Sequence, residues 1–216
     1  MKPVVPAIIP RSAEEIKELL PDLSFSPEVH LDVVDGVFVP FVSWPYEPVG
    51  KPSDVAEYTD RFTLEVDLMV ADPVPSARSW IAAGADMLVF HVETISLSDF
   101  VQFAKSVKVS VGVSADNDTP LETLLSYASE ADSVQCMGIA KIGSQGQSFD
   151  GRAIERIQAV KKQFPRLPVT VDGSVNEQTI AMLSQAGADR FICGSAIVKA
   201  HDKREAYQNL MALSAN

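Results

Sequence analysis

The sequence predicts an α/β protein, a closed (β/α)8 barrel occupying residues 1–216 as one domain. Short β-rich runs alternate with amphipathic helical segments through eight strand–helix units, and such alternation implies parallel strands joined by right-handed crossovers. The segments AAGADMLVF and QAGADRFIC are near repeats, in which a glycine (Gly84, Gly187) ends a helix and Ala-Asp leads into the next strand. No linker or low-complexity tract interrupts the pattern, and 216 residues suit one barrel slightly below the usual size.

In chain order, the first strand is VVPAII from Val4, followed by a helix in SAEEIKELL. EVHLDVV forms the second strand. The interval after Trp44 is Pro-rich and leaves only SDVAEY for its helix. FTLEVDLMV then pairs with the helix PSARSWIAAG, DMLVFHVE with SLSDFVQFAKS, and KVSVGVSA with PLETLLSYASEA. The last three units are SVQCMGI with GRAIERIQAVKKQF, PVTVDGS with EQTIAMLSQAG, and RFICGSA with DKREAYQNLMALS.

Composition narrows the function classes. Hydrophobic residues make up 46% and charged residues 22%, an ordinary soluble balance. No apolar run reaches the length of a membrane span, and the opening MKPVVPAIIPRSAEE has no long apolar segment, so a cytoplasmic protein without membrane contact is expected. A formal charge of −11 without a Lys/Arg cluster argues against nucleic acid. Cys136 and Cys193 lack metal-type spacing and read as reduced core residues. A phosphorylated small molecule stays compatible with the charge, because backbone N–H groups at a helix start bind phosphate locally.

Period-two alternation selects the candidate site. His30, Asp32 and Val34 share one face of the second strand, and Glu65, Asp67 and Met69 share one face of the third. Asp172 ends the seventh. One histidine and three aspartates from three strands suit a divalent cation at the C-terminal mouth of a barrel. Gly173 and Ser174 close strand seven, while Gly194 and Ser195 close strand eight, where such barrels often hold a phosphate on backbone amides. His91, in register with Val89 and Glu93, suits a supporting or packing role. His201 is expected in solvent. Trp44 is expected to line the pocket or to seal a subunit contact, and a homo-oligomer is compatible with the sequence.

The strings PAII, HLDVVDGVFVP, DLMV, FHVET, GQSF, VDGSV and CGSAI together resemble the ribulose-phosphate 3-epimerase family along nearly the whole chain. The resemblance implies a TIM barrel of the ribulose-phosphate-binding type. It also implies a metal-assisted isomerase of the pentose phosphate pathway that interconverts D-ribulose 5-phosphate and D-xylulose 5-phosphate. Position by position, it assigns His30, Asp32, Asp67 and Asp172 to the metal (Zn, Mn, Fe or Mg), with Asp32 and Asp172 also the acid/base pair. It gives Gly146, Gly173, Ser174, Gly194 and Ser195 to phosphate, and Met69 and Met137 to the reaction pocket.

The chain departs from the family pattern at several pocket positions. Asp67 stands where the family has a metal histidine, Ala7 replaces a substrate-contacting serine, and Val34 replaces a pocket methionine. The loop AKIGSQGQSF lacks the family's Pro-Gly start and is about one residue longer. More carboxylate and less imidazole tilts metal preference from Zn²⁺ toward Mn²⁺ or Mg²⁺. Without metal, the clustered carboxylates repel, and at least one should hold a proton near neutral pH. Two alternatives share these residues: an epimerase for another ketose phosphate such as a hexulose 6-phosphate, and a sugar-phosphate-binding barrel without turnover. The related decarboxylase and hexulose-phosphate synthase barrels use a strand-three lysine, and Asp67 occupies its place.

Overall fold

The computed structural model describes residues 1–143 and 146–215. Ser144, Gln145 and Asn216 lie outside the described residues, and with the first two goes part of the loop expected to be longer. The strands are β1 (Val4–Ile8), β2 (Glu28–Val34), β3 (Thr63–Met69), β4 (Met87–His91), β5 (Ser110–Ala115), β6 (Ser133–Met137), β7 (Val169–Asp172) and β8 (Arg190–Cys193). They close in the order β1 to β8 with every neighbouring pair parallel, β8 returning to β1. The expected (β/α)8 fold is therefore the observed one.

The helices are α1 (Ala13–Asp22), α2 (Ala56–Thr59), α3 (Pro73–Ala82), α4 (Leu97–Ser106), α5 (Leu121–Ala128), α6 (Arg152–Gln163), α7 (Ile180–Ala186), α8 (Ser195–Val198) and α9 (Lys203–Leu213). Ser12, Ser96 and Asp202 cap α1, α4 and α9, each accepting from a backbone N–H three residues on.

The alternation of each strand divides the molecule into two environments. Leu31, Val33, Val66, Leu68, Phe90 and Val113 face outward into one large apolar layer beneath the helices, and this layer carries most of the burial that stabilises the fold. The intervening residues face inward, and many are polar: His30, Asp32, Glu65, Asp67, His91, Ser114, Gln135 and Thr170 are all buried. Small apolar clusters fill the rest of the interior, Val5, Ala7 and Ile192 in one and Val34, Met69, Met137 and Ile139 in another.

Several expected boundaries move. RFICGSA stops as a strand at Cys193, because Gly194 and Ser195 start the short helix α8. β7 stops at Asp172, where positive φ at Gly173 (93°) and Ser174 (54°) turns the chain off the sheet. SDVAEY becomes a 3-10 turn, Pro52–Asp54, followed by only four helical residues. Trp44 corrects both expectations made for it. It is 2% exposed, edge-on to Trp80 at 6.0 Å, and its backbone N–H donates to Pro10 O. The Pro-rich loop folds back and buries the indole in the chain's own apolar layer. His201 is exposed, as expected. Cys136 and Cys193 are buried free thiols, and burial pushes Cys136 up to about 12.

Candidate active site

The site begins with the register of β2 and β3. His30 pairs with Glu65 and Asp32 with Asp67, so four ionisable side chains enter the barrel side by side. His30 Nδ1 lies 2.6 Å from Glu65 Oε1, and its Nε2 lies 3.1 Å from Asp32 Oδ1. Arg190, at the start of β8, donates from Nη1 to Glu65 Oε1 at 2.7 Å and from Nη2 to Glu28 Oε2 at 2.8 Å. A polar string, Glu28–Arg190–Glu65–His30–Asp32, thus leads through the barrel interior to the mouth.

The electrostatics follow from burial set against pairing. Burial alone would raise Glu65, but Arg190 and His30 outweigh it and hold the carboxyl at about 2. Burial likewise pulls His30 down, yet the hydrogen bonds and charges of Asp32 and Glu65 raise it well above the usual imidazole value. Asp32 is raised by burial and by the Asp67 charge, against the pull of His30. With its affinity raised in this way His30 holds both ring protons, Nδ1–H donating to Glu65 and Nε2–H to Asp32. A cation facing His30 would take the place of the Nε2 proton, with Glu65 holding the Nδ1 side.

Asp67 is fully buried. Its Oδ1 lies 3.1 Å from His91 Nε2, and its Oδ2 accepts from Gln135 Nε2 at 2.8 Å. His91 stacks obliquely on Phe38 with ring centroids 5.3 Å apart. Burial lowers its proton affinity, but Asp67 reverses that and leaves it raised.

Asp172 reaches the mouth from β7 because the ends of β6 and β7 approach closely. Gly138 N–H bonds Asp172 O at 2.6 Å, and a Cβ at Gly138 would stand 2.0 Å from the Gly173 carbonyl oxygen. No larger residue fits there without moving the strand ends. Burial first, and then the Asp32 charge, pushes the Asp172 carboxyl up to about 8. Asp32 is raised as well, so burial and mutual repulsion favour a proton on the Asp32–Asp172 pair, with Asp172 the more strongly raised of the two.

One ligand atom each from His30, Asp32 and Asp67 can be chosen so that all three lie within 4.8 Å of one another. Asp172 is not one of that trio; it lines the same cavity as Asp32. One imidazole and a set of mutually repelling carboxylates, buried together, fit a divalent cation. The cavity measures about 270 Å³. Ala7, Asp32, Met69 and Asp172 form one part of its wall. Gly146, Gly173, Ser174, Gly194 and Ser195 form another, so every residue expected to bind phosphate borders it. Met137 does not line the cavity but packs in the buried cluster that contains Met69.

Sequence reasoning passed over Arg190, Gln135 and Gly138. Gln135 had a signal, an amide in the inward register two residues before Met137 within an apolar strand. The only sign of Arg190 was a charged residue at a strand start. Gly138 stood in CMGI with nothing to show what its missing side chain avoids.

Comparison with known proteins fits this geometry. Residues 3–198 match the model of the ribulose-phosphate 3 epimerase family. The ribulose-phosphate 3-epimerase of Bacillus subtilis (strain 168) is 30% identical over 190 residues, covering 84% of each chain. The cytoplasmic isoform of ribulose-phosphate 3-epimerase from Oryza sativa subsp. japonica is 29% identical over 184 residues, 82% of this chain and 78% of that one. A crystal structure of 3-hexulose-6-phosphate synthase superposes with a TM-score of 0.74 at 20% identity, covering 99% of both chains; at that identity the likeness concerns the fold alone.

Proposed function

The chain belongs to the ribulose-phosphate 3-epimerase family, and from that premise we propose that it is an isomerase inverting C3 of a phosphorylated ketose, with D-ribulose 5-phosphate and D-xylulose 5-phosphate as its substrate pair. The observation that carries the reading is the shared cavity. Asp32 and Asp172 border it from different strands, and the glycine-rich ends of β7 and β8 border it beside them.

Epimerisation next to a carbonyl requires removal of the C3 proton on one face and return of a proton on the other. Asp32 and Asp172 exchange these protons with C3 across a planar enediolate. One must start ionised and the other protonated, a division supported by the raised Asp172 carboxyl, which burial first and then the Asp32 charge favour in its protonated form. Backbone N–H groups of Gly173, Ser174, Gly194 and Ser195, with the loop at Gly146, hold the phosphate and so fix the direction of the sugar chain. His30, Asp32, Asp67 and Asp172 are the residues to hold a divalent cation. Bound there, it would stabilise the negative charge developing on the carbonyl and adjacent hydroxyl oxygens. This oxygen-rich donor set favours Mn²⁺ or Mg²⁺ over Zn²⁺. A phosphorylated substrate, which does not cross membranes unaided, supports a cytosolic location.

A hexulose 6-phosphate is the competing substrate, and Ala7, a small residue on the cavity wall, is the observation that favours it. Steady-state assays with both ketose phosphates separate the two by kcat/KM. Asp67→Ala should lower bound metal and turnover together. Asp172→Asn should abolish turnover while phosphate binding persists, and turnover surviving that change would overturn the two-aspartate mechanism.

A further inference from the structure

Asp67 sits within the barrel as a carboxylate with no exposed surface. A buried carboxylate without donors is expensive, and here each oxygen has one, His91 Nε2 at 3.1 Å from Oδ1 and Gln135 Nε2 at 2.8 Å from Oδ2. Chemistry settles the orientation of both donors. A flipped Gln135 amide would aim its own oxygen at Asp67, and an unprotonated His91 Nε2 would aim a lone pair there.

Both donors are themselves confined. The Gln135 amide nitrogen also lies 3.7 Å from Met137 Sδ, and the His91 ring packs on Phe38. Their strands are bridged by β5: His91 pairs with Ser114, and Ser114 pairs with Gln135. The two donors therefore stand one strand apart in the same inward layer. One donor per oxygen prevents the carboxylate from turning about its Cβ–Cγ bond. It also leaves each oxygen a lone pair, and one Asp67 oxygen comes within 4.8 Å of ligand atoms of His30 and Asp32.

We infer that His91 and Gln135 are positioning residues, which clamp Asp67 from opposite oxygens so that it serves as an oxygen ligand in the place of an imidazole. The inference rests on the cation-binding reading proposed above. It assigns both residues an action through Asp67 and none on the substrate. Their contribution should therefore appear in the affinity for the cation alone, with no sugar phosphate present.

The test is calorimetric titration of the purified, chelator-treated protein with Mn²⁺, and separately with inorganic phosphate. It uses the natural sequence, His91→Leu, His91→Gln and Gln135→Leu, each checked for folding by its thermal transition. His91→Leu and Gln135→Leu should weaken Mn²⁺ binding by about 10–100-fold, the usual effect of removing a group that orients a metal ligand. His91→Gln offers an amide N–H to the same oxygen and should retain most of the affinity. Phosphate affinity should be unchanged throughout. Equal Mn²⁺ losses in His91→Leu and His91→Gln, or natural affinity in both leucine variants, would overturn the clamp while leaving the cation reading intact. A natural protein that binds neither Mn²⁺ nor Mg²⁺ would overturn both.

Discussion

Replacing Asp172 by asparagine should stabilise the metal-free protein at alkaline pH while removing its activity. The carboxyl titrates at about 8 in the folded chain against 3.8 ordinarily, so the unfolded chain releases this proton far more readily. For a group raised in this way, stability is intact below pH 4 and is lost as pH rises toward 8, by up to about 1.4 kcal/mol per pH unit. Over the whole interval the upper bound is about 5 kcal/mol. Asp172 is only half-buried and borders the cavity, where water screens part of the repulsion, so about 2–4 kcal/mol is the expected penalty at pH 8. An asparagine carries no charge and removes it. Urea denaturation of both chelator-treated proteins at pH 5, 6, 7 and 8 measures the effect. The natural protein should lose stability across the series, and the variant should lose less and be the more stable at pH 8. Added Mn²⁺ should stabilise the natural protein by the larger amount. Parallel pH profiles, or a variant less stable at pH 8, would refute the account of crowded carboxylates.

Arg190→Leu should destabilise the protein by about 3–5 kcal/mol at pH 7, because it leaves Glu65 buried without its cation. Glu65 is held at about 2, so its contribution is complete above pH 4.5 and fades as pH falls toward 2. The gap between variant and natural protein in urea should therefore narrow between pH 5 and pH 3, and a constant gap would contradict the assignment. Gly138→Ala should cost about 1–3 kcal/mol through overpacking against the Gly173 carbonyl. It should also lower kcat by displacing Asp172, and an alanine variant with natural turnover would show that the close approach of β6 and β7 does not position the site.

The residues of the site were legible wherever a local period sufficed. In HLDVV and LEVDLM the alternation already puts His30, Asp32, Glu65 and Asp67 on inward faces, and parallel pairing places them side by side. The cavity-lining glycines Gly173 and Gly194 could be read because they follow Asp172 and Cys193 at strand ends. What escaped depends on closure of the barrel. Arg190 meets Glu65 across 125 residues of sequence, and no local pattern links them. Gln135 stood out as an amide among apolar neighbours, but its target lies on β3, reached across the barrel interior. Trp44 was misread because a Pro-rich loop gives no sign of folding back onto Trp80.

The central claim, that Asp32 and Asp172 exchange protons with C3 of a ketose phosphate, is tested most directly by NMR of D-ribulose 5-phosphate in D₂O with the Mg²⁺-loaded protein, since Mn²⁺ would broaden the resonances. The account predicts loss of the C3 proton signal together with appearance of C3-deuterated xylulose 5-phosphate, and neither change with Asp172→Asn. A C3 proton that persists at full intensity with the natural, metal-loaded protein, for the six-carbon ketose phosphate as well, would contradict it.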